Sequence, residues 1–164
     1  MYRWLVFFHV VGAFGFLLSH GVPAMVSLRL GGETDRRRIG ALLELSNSGP
    51  SMAATWGSFL VMLVTGIAAG FIGRWWRAGW IWVAIGVLVV VSVAMTMLGS
   101  RYMNDLRQAV GLPWFDGRRQ QPGGNPLGDE ELARRLSSSR PRSVAVIGFA
   151  GIGLLIWLMM FKPF

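Results

Sequence analysis

"WLVFFHVVGAFGFLLSHGVPAMVSL", residues 4 to 28, contains no Asp, Glu, Lys or Arg. A hydrocarbon core of about 30 Å needs roughly 20 helical residues at 1.5 Å each, so this run predicts a transmembrane helix. Three more runs of the same kind follow, at about 52–72, 80–98 and 143–161. An open strand in lipid would leave backbone groups unpaired at about several kcal/mol each, so all four are expected to be helices. The first run begins near the N-terminus. Arg3 is a token positive region, the apolar stretch exceeds the usual signal-peptide length and "HGVPAMVS" is a poor cleavage site, so a retained helix is expected. The fold class read from the sequence is therefore an all-α membrane protein, a single four-transmembrane-helix bundle over residues 1–164.

The whole composition agrees with that reading. The chain of 164 residues is 53% hydrophobic and holds eight Trp and ten Phe; its mean hydropathy is +0.49. It has no cysteine, which excludes disulfides, cysteine-ligated iron–sulfur clusters and thiolate nucleophiles. The formal charge of +8 comes from arginines beside apolar segments, so membrane topology explains it and no nucleic-acid partner is expected. Segment 29–51 carries Arg29, Arg36, Arg37 and Arg38. Segment 99–142 carries Arg101, Arg107, Arg118, Arg119, Arg134, Arg135, Arg140 and Arg142. The other side has only Arg3, Arg74, Arg77 and Lys162. The excess of positive charge predicts both termini outside and two Arg-rich cytoplasmic segments, in the bacterial cytoplasmic membrane. Trp75, Trp76 and Trp80 flank the short turn "GRWWRAGW" and read as an interfacial belt.

Within the first segment, Ile39, Leu42, Leu43 and Leu45 predict a short amphipathic helix lying on headgroups. In the second, "GSRYMNDLRQAVG" continues the third span as helix, "GLPWFDGRRQQPGGNPLG" is a loop by its Gly and Pro content, and "DEELARRL" is a short helix with Asp129 as N-cap. Neither segment contains a phosphate-binding glycine loop or a nucleophile motif.

The only two histidines lie eleven residues apart in the first run. At about 100° per residue that is three turns plus about 20°, so His9 and His20 share a face, about 16 Å apart along the axis. Gly12, Ala13 and Phe16 fall between them and form a strip that could admit a flat ring. An imidazole in a bilayer is costly unless its nitrogens are bonded. One nitrogen can hold a metal or tetrapyrrole while the other donates to a carbonyl; the plainer expectation is a bond to Thr65, Ser92, Thr96 or a backbone carbonyl. His9 and His20 are the candidate metal ligands, and with Gly12, Ala13 and Arg101 the candidate cofactor site. They cannot grip one ion together at that separation. No other helix offers a histidine, so the remaining axial candidates are methionines: Met52, Met95, Met97 and Met103 by depth near His20, and Met62, Met159 and Met160 nearer His9. Methionine is also ordinary packing, and His with Met suits copper(I) as well as haem. Arg29 and Arg101 stand where a guanidinium could pair with a haem propionate, besides serving topology.

The opening "YRWLVFFHVVGAFGFLLSHG", the Arg-rich first loop, "VTGIAAGF", the tryptophan turn and "GSRYMNDLRQAVG" together resemble a family of predicted integral membrane proteins distantly related to the CopD-type copper-resistance proteins. More remotely, "FFHVVGAFGF" resembles the first helix of the HemJ-type protoporphyrinogen oxidases, whose histidine is associated with haem b. That resemblance implies a role for His9 alone. Those oxidases also use a lysine in a later helix, whereas the sole lysine here is Lys162, a departure that bears on the oxidase activity.

Three readings follow. The first is a haem b-binding, cytochrome-like protein that passes electrons, with His9 as axial ligand. The second is a non-catalytic accessory subunit that binds no cofactor and packs against a larger membrane complex or another copy of itself, with "GFAGIGLL" as a close-packing stretch. The third is copper handling. No paired carboxylate lies in the spans to support acid/base chemistry.

Overall fold

The structure, a computed structural model, describes residues 1–116 and 118–163. In chain order its elements are α1 (Tyr2–Leu30), α2 (Arg36–Ser46), α3 (Gly49–Ile72), a 3-10 turn (Trp75–Arg77), α4 (Gly79–Met95), a π-helical segment (Thr96–Ser100), α5 (Arg101–Ala109), β1 (Trp114–Phe115), β2 (Gln120–Gln121), α6 (Asp129–Leu136) and α7 (Arg140–Phe161). Four helical stretches are long and apolar enough to cross a membrane: Tyr2–Leu30, Arg36–Ile72, Gly79–Ala109 and Asp129–Phe161. Only 6% of the most apolar window in each of the first three is buried. The exposed side chains include Phe7, Phe14, Leu18, Leu60, Phe71, Val90 and Phe149. Such breadth of exposed apolar surface needs lipid or apolar protein around it.

The chain divides into two compact units. One comprises Met1–Val22, Asn47–Val89 and Gly151–Phe164; the other comprises Pro23–Ser46 and Val90–Ala150.

In the first unit α1 and α3 meet at small residues. The turn after α3 is forced by Arg74, whose φ of 57° is left-handed, and by Gly73, where a Cβ would collide with the Trp75 indole. Trp75 Nε1 donates to the Tyr2 hydroxyl at 3.0 Å, and Trp82 Nε1 donates to the Trp76 carbonyl at 3.1 Å. The tryptophan turn is thus pinned to the start of α1.

The second unit is built around Val26, Leu30, Ile39, Leu43, Tyr102, Leu106, Ala109, Leu132 and Leu136. Helices as short as α2, α5 and α6 are marginal alone; here each turns residues spaced three or four apart into one shared core. This corrects the expectation for α2. Its helix is present, but Ile39 and Leu43 are fully buried in protein and only Leu45 of the expected apolar set is largely exposed. Intramolecular packing removes the same apolar face from water that headgroups would have covered.

Arginines tie this unit together. Arg36 donates to the Leu127 carbonyl at 2.7 Å and the Ala109 carbonyl at 3.3 Å, and pairs with Asp129 at 2.7 Å. Arg107 donates to the carbonyls of Pro113 at 2.6 Å and Leu43 at 3.1 Å. Arg135 donates to the Asp105 carbonyl at 2.8 Å and pairs with Glu131 at 2.9 Å. The helix α6 starts as expected, but its N-cap is Gly128. Asp129 is its first residue, and its carboxylate is turned to Arg36 instead. The Gly/Pro-rich stretch carries a two-residue antiparallel ladder, Trp114 opposite Gln121 and Phe115 opposite Gln120. It folds back through Gly111, whose φ is +81°, and a Cβ there would stand 2.7 Å from the Gly124 carbonyl oxygen.

Candidate functional site

The face of α1 that bears both histidines lies in the first unit. The nearest carbonyl partner of His9 is on α3: Nδ1 is 2.8 Å from the Met62 oxygen. A carbonyl only accepts, so Nδ1 carries a proton and donates, which leaves Nε2 as the nitrogen that could serve as a ligand. Met62 is one of the residues expected at this depth, but its backbone makes the bond. One turn along α3, a Cβ on Gly66 would lie 2.8 Å from both Nδ1 and Cε1 of His9. Glycine at 66 is therefore the notch that admits the imidazole.

Between the histidines, α1 meets α3 closely at Gly12 and Gly15. Gly12 is buried, and a Cβ on it would stand 2.7 Å from the Met62 nitrogen, 3.0 Å from its Cα and 3.1 Å from the Ser58 carbonyl oxygen. A Cβ on Gly15 would lie 2.6 Å from Ser58 Oγ. Residues 58, 62 and 66 recur every four positions on α3, and Gly12 and Gly15 let the two backbones close on that ridge. The expected berth for a flat ring along Gly12 is thus occupied by α3; Ala13 beside it is half-buried.

His20 lies in a different environment. Its ring stacks on Phe16, with centroids 5.3 Å apart and planes at 14°. Phe16 in turn leans on Phe59 at 5.6 Å. Among the described residues the polar contacts of α1 include the His9 bond to Met62 and local serine bonds, such as Ser19 to the Gly15 carbonyl at 2.8 Å. Thr65 bonds within its own helix, to the Val61 carbonyl. Arg101 is exposed at the start of α5.

A haem held by His9 would bond through Nε2, and the Nδ1 bond to Met62 is the kind of outer partner that fixes a ligating imidazole. In that respect His9 fits. A macrocycle lying along Gly12 does not fit, because the α3 backbone is there. Among the described residues no group of three or more His, Cys, Asp or Glu side chains could hold a metal ion.

Sequence reasoning missed the arginine bonds to helix-end carbonyls and the burial of α2. Neither has a local signal, since an arginine that caps a distant helix looks the same in sequence as one that faces solvent. Comparison with protein-family models, curated proteins and solved structures finds no match to the chain.

Proposed function

We propose that the chain is a non-catalytic integral membrane subunit, held in the bacterial cytoplasmic membrane by four helices with both termini outside, that packs its apolar faces against lipid and a larger membrane complex. The observation that supports this reading is the broad exposed apolar surface of the helices, together with the close approach of α1 and α3 at Gly12. Polar groups serve packing in each unit taken by itself: His9 braces α3 in the first, and Arg36, Arg107 and Arg135 satisfy carbonyls in the second. A second copy of the chain is the other partner that the exposed helix faces suit.

A second reading is favoured by the His9 bond. With Nδ1 donating to Met62, Nε2 is the nitrogen that would hold a b-type haem, and the protein would be a cytochrome-like electron carrier. Haem supplies one-electron chemistry when bound. The chain's own part is to orient the ring through Met62 and Gly66.

A reduced-minus-oxidised visible spectrum of the detergent-purified protein, with metal analysis of the same sample, separates these. A folded, colourless, metal-free protein that co-purifies with a large membrane partner is the expected result. A haem b band near one per chain, lost in His9→Ala, would replace the subunit reading with the second one. Stoichiometric copper lost in His9→Ala or His20→Ala would replace both with copper handling.

A further inference from the structure

The tryptophan turn holds a cation. Lys162 Nζ sits 4.3 Å from the Trp75 ring centroid and 5.9 Å from that of Trp80. The two indoles meet at 5.8 Å with planes 63° apart, so they form two walls of a corner. An ammonium over an indole face is attracted by the ring quadrupole, and aromatic corners of this kind bind alkylammonium groups.

The walls have contacts besides the lysine. Trp80 is 5% exposed. Trp75 is fixed by its bond to Tyr2, by the left-handed Arg74 and by Gly73, which alone leaves room for its indole. The occupant, Lys162, follows the last residue of α7 directly.

The surrounding charge is unbalanced. Arg74 and Arg77 flank the corner and are exposed. All eight Asp and Glu residues lie in segments 29–51 and 99–142, and among the described residues none pairs with Arg74, Arg77 or Lys162. An anion for these cations has to come from outside the described side chains. We propose that this turn is a binding site for a zwitterionic phospholipid headgroup, its ammonium entering the Trp75–Trp80 corner in place of Lys162 and its phosphate meeting Arg74 and Arg77. A lipid is the favoured source because the turn joins two apolar helices at the level where indoles meet headgroups.

Lys162 and the headgroup ammonium then compete, which fixes the sign of the test. Native mass spectrometry of the full chain with phosphatidylethanolamine, and with phosphatidylglycerol as the phosphate-bearing lipid that lacks an ammonium, reads the competition. Lys162→Met should raise phosphatidylethanolamine retention about fivefold and leave phosphatidylglycerol unraised. Adding Trp75→Leu should abolish the gain. Equal gains for both lipids, or a gain that survives Trp75→Leu, would overturn the proposal. If tetramethylammonium binds Lys162→Met and phosphatidylethanolamine does not, the corner takes a free amine and the lipid assignment fails. Lys162→Met touches no residue that shapes the turn, so its result stands even if Trp75→Leu does not fold.

Discussion

His9 and Met62 are joined across two helices: the imidazole Nδ1–H donates to the Met62 carbonyl at 2.8 Å, with Gly66 providing the space for the ring. A hydrogen bond of this kind between apolar helices is worth about 0.6 kcal/mol and up to about 1.7 kcal/mol. His9→Phe keeps the ring and removes the donor, so thermal unfolding in detergent should show a loss in that range. A null effect would mean that the bond does not form.

Gly12 should be far less tolerant than Gly21. A side chain at Gly12 meets the Met62 backbone at 2.7 Å, and backbone cannot step aside. Gly12→Val should cost about 1–3 kcal/mol or more by overpacking. At Gly21 nothing lies within 4 Å of a new Cβ, so Gly21→Ala should be neutral or stabilise by up to about 1 kcal/mol, as expected for glycine replaced inside a helix. Paired thermal melts of the two variants check the contrast.

Arg36 joins α2 to the ends of α5 and of the loop that precedes α6. Arg36→Met leaves the Leu127 carbonyl without this donor, which costs about 1–3 kcal/mol where the group is buried. Hydrogen exchange should accelerate in α5 and α6 and stay unchanged in α3. Arg36→Lys should recover only part of the protection, because one ammonium cannot reproduce the guanidinium fork.

Tyr102 tests a buried polar group of the opposite kind. It is 2% exposed, and its hydroxyl has no hydrogen-bond partner among the described residues. Burying an unpaired hydroxyl costs about 1–3 kcal/mol, so Tyr102→Phe should melt at the same temperature as the wild type or higher. A clear loss would reveal a partner for the hydroxyl.

Asp116 makes the hairpin turn sensitive to acid. Backbone N–H groups of Arg119 and Arg118 and the Gln121 amide, at 2.7, 2.7 and 2.6 Å, hold its carboxyl below the usual range. The lowered folded value means that its contribution is complete above the unfolded carboxyl value of about 3.9. It is lost as pH falls through the lower folded value. Chemical shifts of the Arg118 and Arg119 amides should titrate in that acidic window and cease to do so in Asp116→Asn.

The sequence by itself determined the four long apolar helices, because length and the absence of charge are local properties that lipid-crossing helices require. It also determined the helical exit from the third span and the short helix near Asp129, from local periodicity and terminal residues. The spacing of His9 and His20 on α1 was legible for the same reason. Only the tertiary structure decided what that face meets: Gly12 reads equally well as a berth for a ring or a contact for a helix, and the approach of Ser58 and Met62 selects the contact. The same holds for α2, whose apolar face is evident in sequence but whose burial against α5 and α6 depends on residues about sixty or more positions away. Periodicity specifies which side of a helix must leave water; it carries no information about which surface receives it.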